Sequence, residues 1–229
     1  MDLLIQKRIE FMTYEQQLEA IKQYSYSKMH QDSTGHNFDH IQRVINMVQK
    51  ILKTEDADPS ITLAAAYLHD VADDKLVADP AKLEADMKEF LHGIDFTDEQ
   101  VAEVLFITHN ISFSKSLSKN PPKLSLAGQI VQDADCLDAI GAIGITRAIY
   151  YGGANSETIY DPRIAPRQTM NKSEYRNLAN ETIINHFYEK LLKLTDMMNT
   201  PTAKLIAQKR HQYMLDFLDE FKAEWNTEK

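Results

Sequence analysis

The chain has 229 residues, 43% of them hydrophobic and 26% charged, with a net charge of −9. That is enough apolar side chain for a packed core and too much for a disordered chain, while seven Gly and seven Pro supply too few turns for a many-stranded β protein. The acidic balance argues against binding of bulk nucleic acid through phosphate neutralisation, although a bound cation and a few local bases can still hold a small phosphorylated ligand. The single Cys136 excludes an internal disulfide and fits a reducing compartment. No run approaches the roughly 20 apolar residues of a membrane helix, and Met1 to Arg8 lack the order of a signal peptide. The expected location is the cytoplasm.

Residues 2–30 place Leu18, Ile21 and Tyr24 to Tyr26 at helical spacing among charges and predict one or two amphipathic helices. Asp32-Ser33-Thr34-Gly35 breaks that pattern. Ile41, Val44, Ile45, Val48, Ile51 and Leu52 then follow i, i+3, i+4, i+7 spacing, a helix opened by His40 with Asp39 as its expected N-cap. His36 lies just before it. Two histidines around a helix start, upstream of a His-Asp pair, point to ligation rather than to a surface or core histidine.

Asp58-Pro59-Ser60 starts the next helix, whose apolar run Ala64 to Leu68 ends in His69-Asp70-Val71-Ala72-Asp73-Asp74-Lys75. Burying an imidazole beside a carboxylate is costly unless both are paired or hold a cation. Helix neighbours point about 100° apart, so His69 and Asp70 can enter one concave site, and a metal ion accounts for both. A break over 75–80 precedes a helix from about Ala81 to Leu91, with Leu83, Met87, Phe90 and Leu91 inward and His92 and Gly93 at its end. Thr97-Asp98-Glu99-Gln100 is a capping box for a helix running to His109. The following text enters a Ser-rich loop ending at Pro121-Pro122. Ser112 and Lys115 there are either solvated or, beside His109 and Asn110, phosphate contacts.

Leu124 to Leu137 reads as a buried helix that delivers Asp133, Asp135 and Asp138. Asp133 and Asp138 can cap, ion-pair or face solvent, and Cys136 is a small packing residue. Gly141 and Gly144 predict close helix packing, since a phosphate loop would want its Lys; Arg147 follows on the same helix. Residues 151–171, with Tyr160, Arg163 and Arg167, form a long irregular stretch suited to a substrate lid or to dimerisation. Residues 172–198 and 201–224 read as two long amphipathic helices, with Thr200 as N-cap and Pro201 at N1 of the second. Phe187, Leu191, Leu194, Met197 and Met198 should pack against Leu205, Ile206, Met214, Phe217, Leu218 and Phe221.

Three strings, His40-Ile41-Gln42-Arg43-Val44, His69-Asp70 and Ala134-Asp135-Cys136-Leu137-Asp138-Ala139-Ile140-Gly141, resemble the HD superfamily of metal-dependent phosphohydrolases over roughly residues 20–150. The resemblance implies an all-α fold: a single HD-type domain over 1–229, with extra helices at both ends and a C-terminal extension over about 172–224. It also implies one divalent metal ion (manganese, magnesium, iron or nickel) held by His40, His69, Asp70 and Asp135. His36 resembles the additional histidine of one subgroup, set behind the ligands or against substrate. In two-metal members further histidines bind a second ion, a position His109 can take.

A carboxylate one turn beyond the His-Asp pair is suited to take the proton of the attacking water. Asp73 and Asp74 stand there, where the alarmone-hydrolysing branch has Glu-Asp. Lys75, Lys115, Arg147 and Arg163 are candidates to hold phosphate charge, with His109, Asn110 and Ser112 beside the same substrate. The C-terminal tail resembles that of bacterial HD hydrolases, some of which cleave nucleoside triphosphates to monophosphate and pyrophosphate. That activity, on a small phosphorylated substrate and without a membrane or bulk nucleic acid partner, is the expectation; a homodimer is compatible with it. The competing expectations are an alarmone pyrophosphohydrolase and a metal-holding regulatory module that binds nucleotide without turnover.

Overall fold

The computed structural model describes residues 11–30, 37–72, 79–118, 120–169, 174 and 181–228. Among them the architecture is all-α; the sole extended pairing is one isolated bridge between Thr158 and Thr182. His36, Asp73, Asp74 and Lys75 lie outside the described residues.

Helix α1 (Tyr14–Met29) begins at a capping box of Thr13 and Gln16 and buries Ile21, Ser25 and Met29, one residue per turn. In α2 (Phe38–Ile51) the buried stripe is His40, Ile41, Val44, Ile45, Val48 and Ile51. Its N-cap is Asn37 rather than the expected Asp39. The Asn37 backbone is extended, at φ −69° and ψ 175°, and its side chain accepts from the His40 N–H. Asp39 thereby falls in the first turn, where the helix dipole favours its charge.

Helix α3 (Pro59–Leu68), capped by Asp58, is buried at every position from Thr62 to Leu68. A helix apolar on all sides must be enclosed, and α1, α2 and α5 (Asp98–Asn110) pack around it together with α7 (Leu126–Asp138). His69 is its C-cap. Between these elements lie α4 (Pro80–Gly93) and α6 (Phe113–Ser116), the latter a short helix where the Ser-rich text predicted loop. The capping box at Thr97 and Gln100 forms as expected. No helix among the described residues is long and apolar enough to cross a membrane.

Helix α8 (Gly141–Ala154) runs into the stretch expected to be irregular and stops before Ser156, whose φ is 57°. Gly144 is the close-packing residue its spacing suggested: a Cβ there would lie 2.2 Å from the Ala139 carbonyl oxygen. Residues 172, 173 and 175–180 of the expected continuous helix over 172–198 lie outside the described residues, and from 181 on it is broken into α9 (Ile183–Glu189) and a 3₁₀ segment (Leu191–Met197), with Lys190 between them at φ −133° and ψ −62°. A tertiary contact marks the break, because the buried Glu189 carboxylate accepts from the backbone N–H and the guanidinium of Arg167. Local periodicity carries no trace of that pull.

Helix α10 (Pro201–Trp225) has Thr200 as N-cap and Pro201 at N1 as expected. Asp133, left open between three roles, anchors this helix: its buried carboxylate accepts from the Asn199 and Thr200 N–H groups and from the Thr200 hydroxyl. Phe187 meets Phe217 with ring centroids 5.7 Å apart. Leu205, expected inward, is 65% exposed. The inward stripe runs through Ala203, Ala207, Met214 and Leu218, and Leu205 is two residues, about 200°, away from it.

Candidate metal centre

Three elements deliver the site. The first turn of α2 carries His40, the end of α3 carries His69 and Asp70, and the last turn of α7 carries Asp135. His40 Nε2 stands 3.2 Å from His69 Nε2, 3.4 Å from Asp70 Oδ2 and 3.5 Å from Asp135 Oδ1. His69 Nε2 is 3.4 Å from Asp70 Oδ2 and 3.8 Å from Asp135 Oδ1. His40, His69 and Asp70 are buried, whereas the Asp135 side chain keeps 30% of its surface.

The other ring nitrogens decide what these four atoms can do. His69 Nδ1 lies 2.8 Å from the Ala66 carbonyl, which only accepts, so that nitrogen carries the hydrogen. His40 Nδ1 lies 2.7 Å from Asp138 Oδ2 and donates likewise. In the neutral rings both Nε2 atoms therefore present lone pairs to each other and to two carboxylate oxygens. His40 Nε2, His69 Nε2 and an Asp135 carboxylate oxygen all lie within 4.8 Å of one another, with Asp70 Oδ2 beside both imidazoles, and such electron-pair donors repel unless a positive charge stands among them. Neighbouring ligands about 2.1 Å from one small divalent ion stand about 3 Å apart, close to the spacing here. Two imidazole nitrogens and a carboxylate oxygen are a donor set for a borderline-to-hard divalent ion, and His40, His69 and Asp135 fit one.

The electrostatics carry the same demand. Burial lowers the proton affinity of His69, but the charge and hydrogen bond of Asp70 and the charge of Asp135 outweigh it and raise its pKa to about 10. Asp138 is held far below the usual carboxylate range: burial opposes this, while hydrogen bonds from His40 and Arg43 and the nearby charge of Arg147 win. The thiol of Cys136 is pushed up by burial, then by Asp135 and Asp133, against Lys190. It is a packing residue, not a thiolate nucleophile.

A cleft opens over this cluster. His69, Asp70 and Asp135 form its floor, Pro80, Glu84 and Met87 of α4 one wall, and Thr108, His109, Ser112, Ser114 and Lys115 the other. Lys115 Nζ and His109 Nε2 are 3.1 Å apart. His109, Ser112 and Lys115 are thus brought to the cluster.

Three other expected substrate residues are not on the cleft wall. Asn110 turns its amide back to the Phe106 carbonyl. Arg147 donates to Asp138 at 2.9 Å, on the Nδ1 side of His40. Arg163, with its side chain 87% exposed, forms a two-bond pair with Asp161, whose proximity in sequence makes that partner the accessible one. Arg167 is committed to Glu181 and Glu189. No described residue of the 151–171 stretch lines the cleft, so the expected lid is not found among them.

Sequence reasoning did not single out Glu84, Thr108 or Ser114 on the walls, nor Asp138 behind His40. A signal for Asp138 was present: it stands three residues after Asp135, one turn along the same face of α7.

Residues 37–140 match the family model of the HD domain. The sequence is 36% identical to Bacillus subtilis YpgQ over 207 residues, covering 88% of this chain and 90% of YpgQ. The crystal structure of YpgQ in complex with ADP superposes with a TM-score of 0.75 at 31% identity, covering 93% of this chain and 97% of that one. A Lactobacillus plantarum protein matches with a TM-score of 0.85 and 50% identity over 94% of this chain and 100% of that one. An HD-superfamily hydrolase of Bacillus thuringiensis gives 0.73 and 37% over 93% and 99%. His40, His69, Asp70 and Asp135 all fall inside the matched stretch, on an all-α framework shared over nearly the whole length of these proteins, and the chain belongs to the HD-domain family.

Proposed function

We propose that this chain is a metal-dependent phosphohydrolase that cleaves a nucleoside triphosphate to its monophosphate and pyrophosphate. The observation that carries the reading is the convergence of the His40 and His69 imidazole nitrogens with an Asp135 carboxylate oxygen, Asp70 beside them, under a cleft whose wall holds a lysine. His40, His69, Asp70 and Asp135 would hold one divalent ion, manganese, magnesium, iron or nickel. Such an ion supplies an acidified water and neutralises phosphate charge.

The chain's own groups do the rest. Lys115, 3.1 Å from His109, offers a positive charge and donors to phosphate oxygens. The hydroxyls of Thr108, Ser112 and Ser114 line the same wall and can orient the esterified oxygens. Asp73 and Asp74, three and four residues beyond Asp70, are the groups we assign to proton transfer. Buried packing under the floor, from α3, keeps bulk water away from the ligands on that side.

The ADP bound to YpgQ supports a nucleotide over a smaller phosphoester. With the cluster under the floor of the cleft and Lys115 on its wall, a polyphosphate tail can lie along that wall, leaving the phosphate nearest the sugar at the reacting position. Attack there releases pyrophosphate. Hydrolysis of a nucleoside triphosphate with manganese in oxygen-18 water tests this. Label in the monophosphate and none in the pyrophosphate is expected; inorganic phosphate as first product, with the diphosphate left behind, would make the chain a nucleoside triphosphatase that removes the terminal phosphate instead.

A further inference from the structure

We propose that Asp138 is a positioning residue for the metal ligand His40, and that Arg147, from a helix beyond the HD-matched residues, belongs to the same device. The inference rests on the metal-binding reading of the cluster but not on which phosphate bond is cleaved.

Helices α2 and α7 pack side by side, and each carries two functional positions one turn apart: His40 and Arg43 on α2, Asp135 and Asp138 on α7. Residues at i and i+3 share a helix face, so the two helices meet in matching rows. In one row His40 Nε2 faces Asp135 at 3.5 Å. In the next, Arg43 grips Asp138 with two hydrogen bonds, Nε to Oδ1 at 2.7 Å and Nη2 to Oδ2 at 2.9 Å. His40 belongs to both rows, because its Nδ1 donates to Asp138 Oδ2 at 2.7 Å.

The two-bond grip sets the plane of the carboxylate, as paired Arg–carboxylate contacts do. Oδ2 is thereby aimed at the imidazole. A ring whose Nδ1–H is held in this way has one tautomer and one orientation, with its Nε2 lone pair directed at the cluster.

Arg147 adds the part that lies outside the family module. It sits on α8, whereas the HD match ends at residue 140. Its Nη1 donates to Asp138 Oδ2 at 2.9 Å and reaches the Asp138 carbonyl at 3.4 Å. Helix α8 packs in turn on α9 and α10. Through Asp138 the C-terminal helices therefore reach His40, and their docking contributes to its orientation.

Manganese alone is the probe, titrated calorimetrically into the full-length chain and its variants, with the visible spectrum of cobalt at the same site as a second readout. Asp138→Asn is expected to weaken manganese binding about 10- to 100-fold, the usual scale for partners behind a metal-bound histidine, and to shift the cobalt bands. Arg147→Gln leaves the Arg43 grip in place and should cost a smaller factor, which Arg147→Lys partly restores. Wild-type affinity and an unchanged cobalt spectrum in Asp138→Asn would overturn the proposal. The same result in Arg147→Gln would remove the C-terminal helices from the metal site, and that variant decides the matter should Asp138→Asn fail to fold. A wild-type chain that binds no manganese would overturn the metal reading together with this one.

Discussion

At His69 burial and charge pull in opposite directions. Burial disfavours the imidazolium, yet Asp70 and Asp135 outweigh it and lift the pKa from 6.5 to about 10. A folded-state value above the unfolded one adds stability to the metal-free chain that is fully present below about pH 6.5 and is lost as pH rises toward about 10. A metal ion needs the same Nε2 lone pair and must displace that proton. Manganese affinity should therefore rise about tenfold per pH unit from about pH 7 to about pH 8.5, with about one proton released per ion. Calorimetry in buffers of different ionisation heat measures both quantities. A flat affinity across that window would mean that the free site holds no proton on His69.

At the junction of α7 and α8 Asp138 meets Arg147, and two glycines of α8 make opposite predictions about the packing there. A Cβ on Gly144 would stand 2.2 Å from the Ala139 oxygen and 2.5 Å from its carbonyl carbon. These are backbone atoms that cannot swing aside, so Gly144→Ala should cost about 1–3 kcal/mol, as overpacking does. Gly153, in the last turn, has nothing within 4 Å of its would-be Cβ. Gly153→Ala should stabilise by up to about 1 kcal/mol through helix propensity alone. Thermal melts of the two variants check the pair; equal shifts of the same sign would contradict the packing described. The element scale also explains the broken helix at Lys190, where a buried Glu189 answers to Arg167 from another segment.

Over the whole molecule, the ion that we propose His40, His69, Asp70 and Asp135 hold would join the start of α2, the end of α3 and the end of α7. Binding to the folded chain alone stabilises it by about 2.7 kcal/mol at an ion concentration of about 100 times Kd. For a chain of this length that corresponds to a rise of about 5–10 °C in Tm. Manganese should produce this rise, excess chelator should reverse it, and Asp135→Ala should abolish most of it. A full shift in Asp135→Ala would remove that carboxylate from the ligand set.

What the sequence determined by itself is what short-range physics controls. The α2 stripe from Ile41 to Ile51, the capping residues Asp58, Thr97 and Thr200, and the position of His69-Asp70 at the wet end of an apolar run all depend on neighbours within a turn or two. The strings around His40, His69 and Asp135 carried the family, and with it the all-α fold. Side-chain destinations across the fold were a different matter. Asp138 meets His40 over a separation of 98 residues and Arg43 over 95. Arg163 prefers an aspartate two residues away to the cleft, and Asp133 serves the start of α10 from 67 residues upstream. The partners of Asp138 and Asp133 are set by the register of packed helices, whereas Arg163 takes the acid beside it in sequence. A one-turn shift between α2 and α7 would separate Asp138 from His40 without changing any local pattern, so only the tertiary structure could decide them.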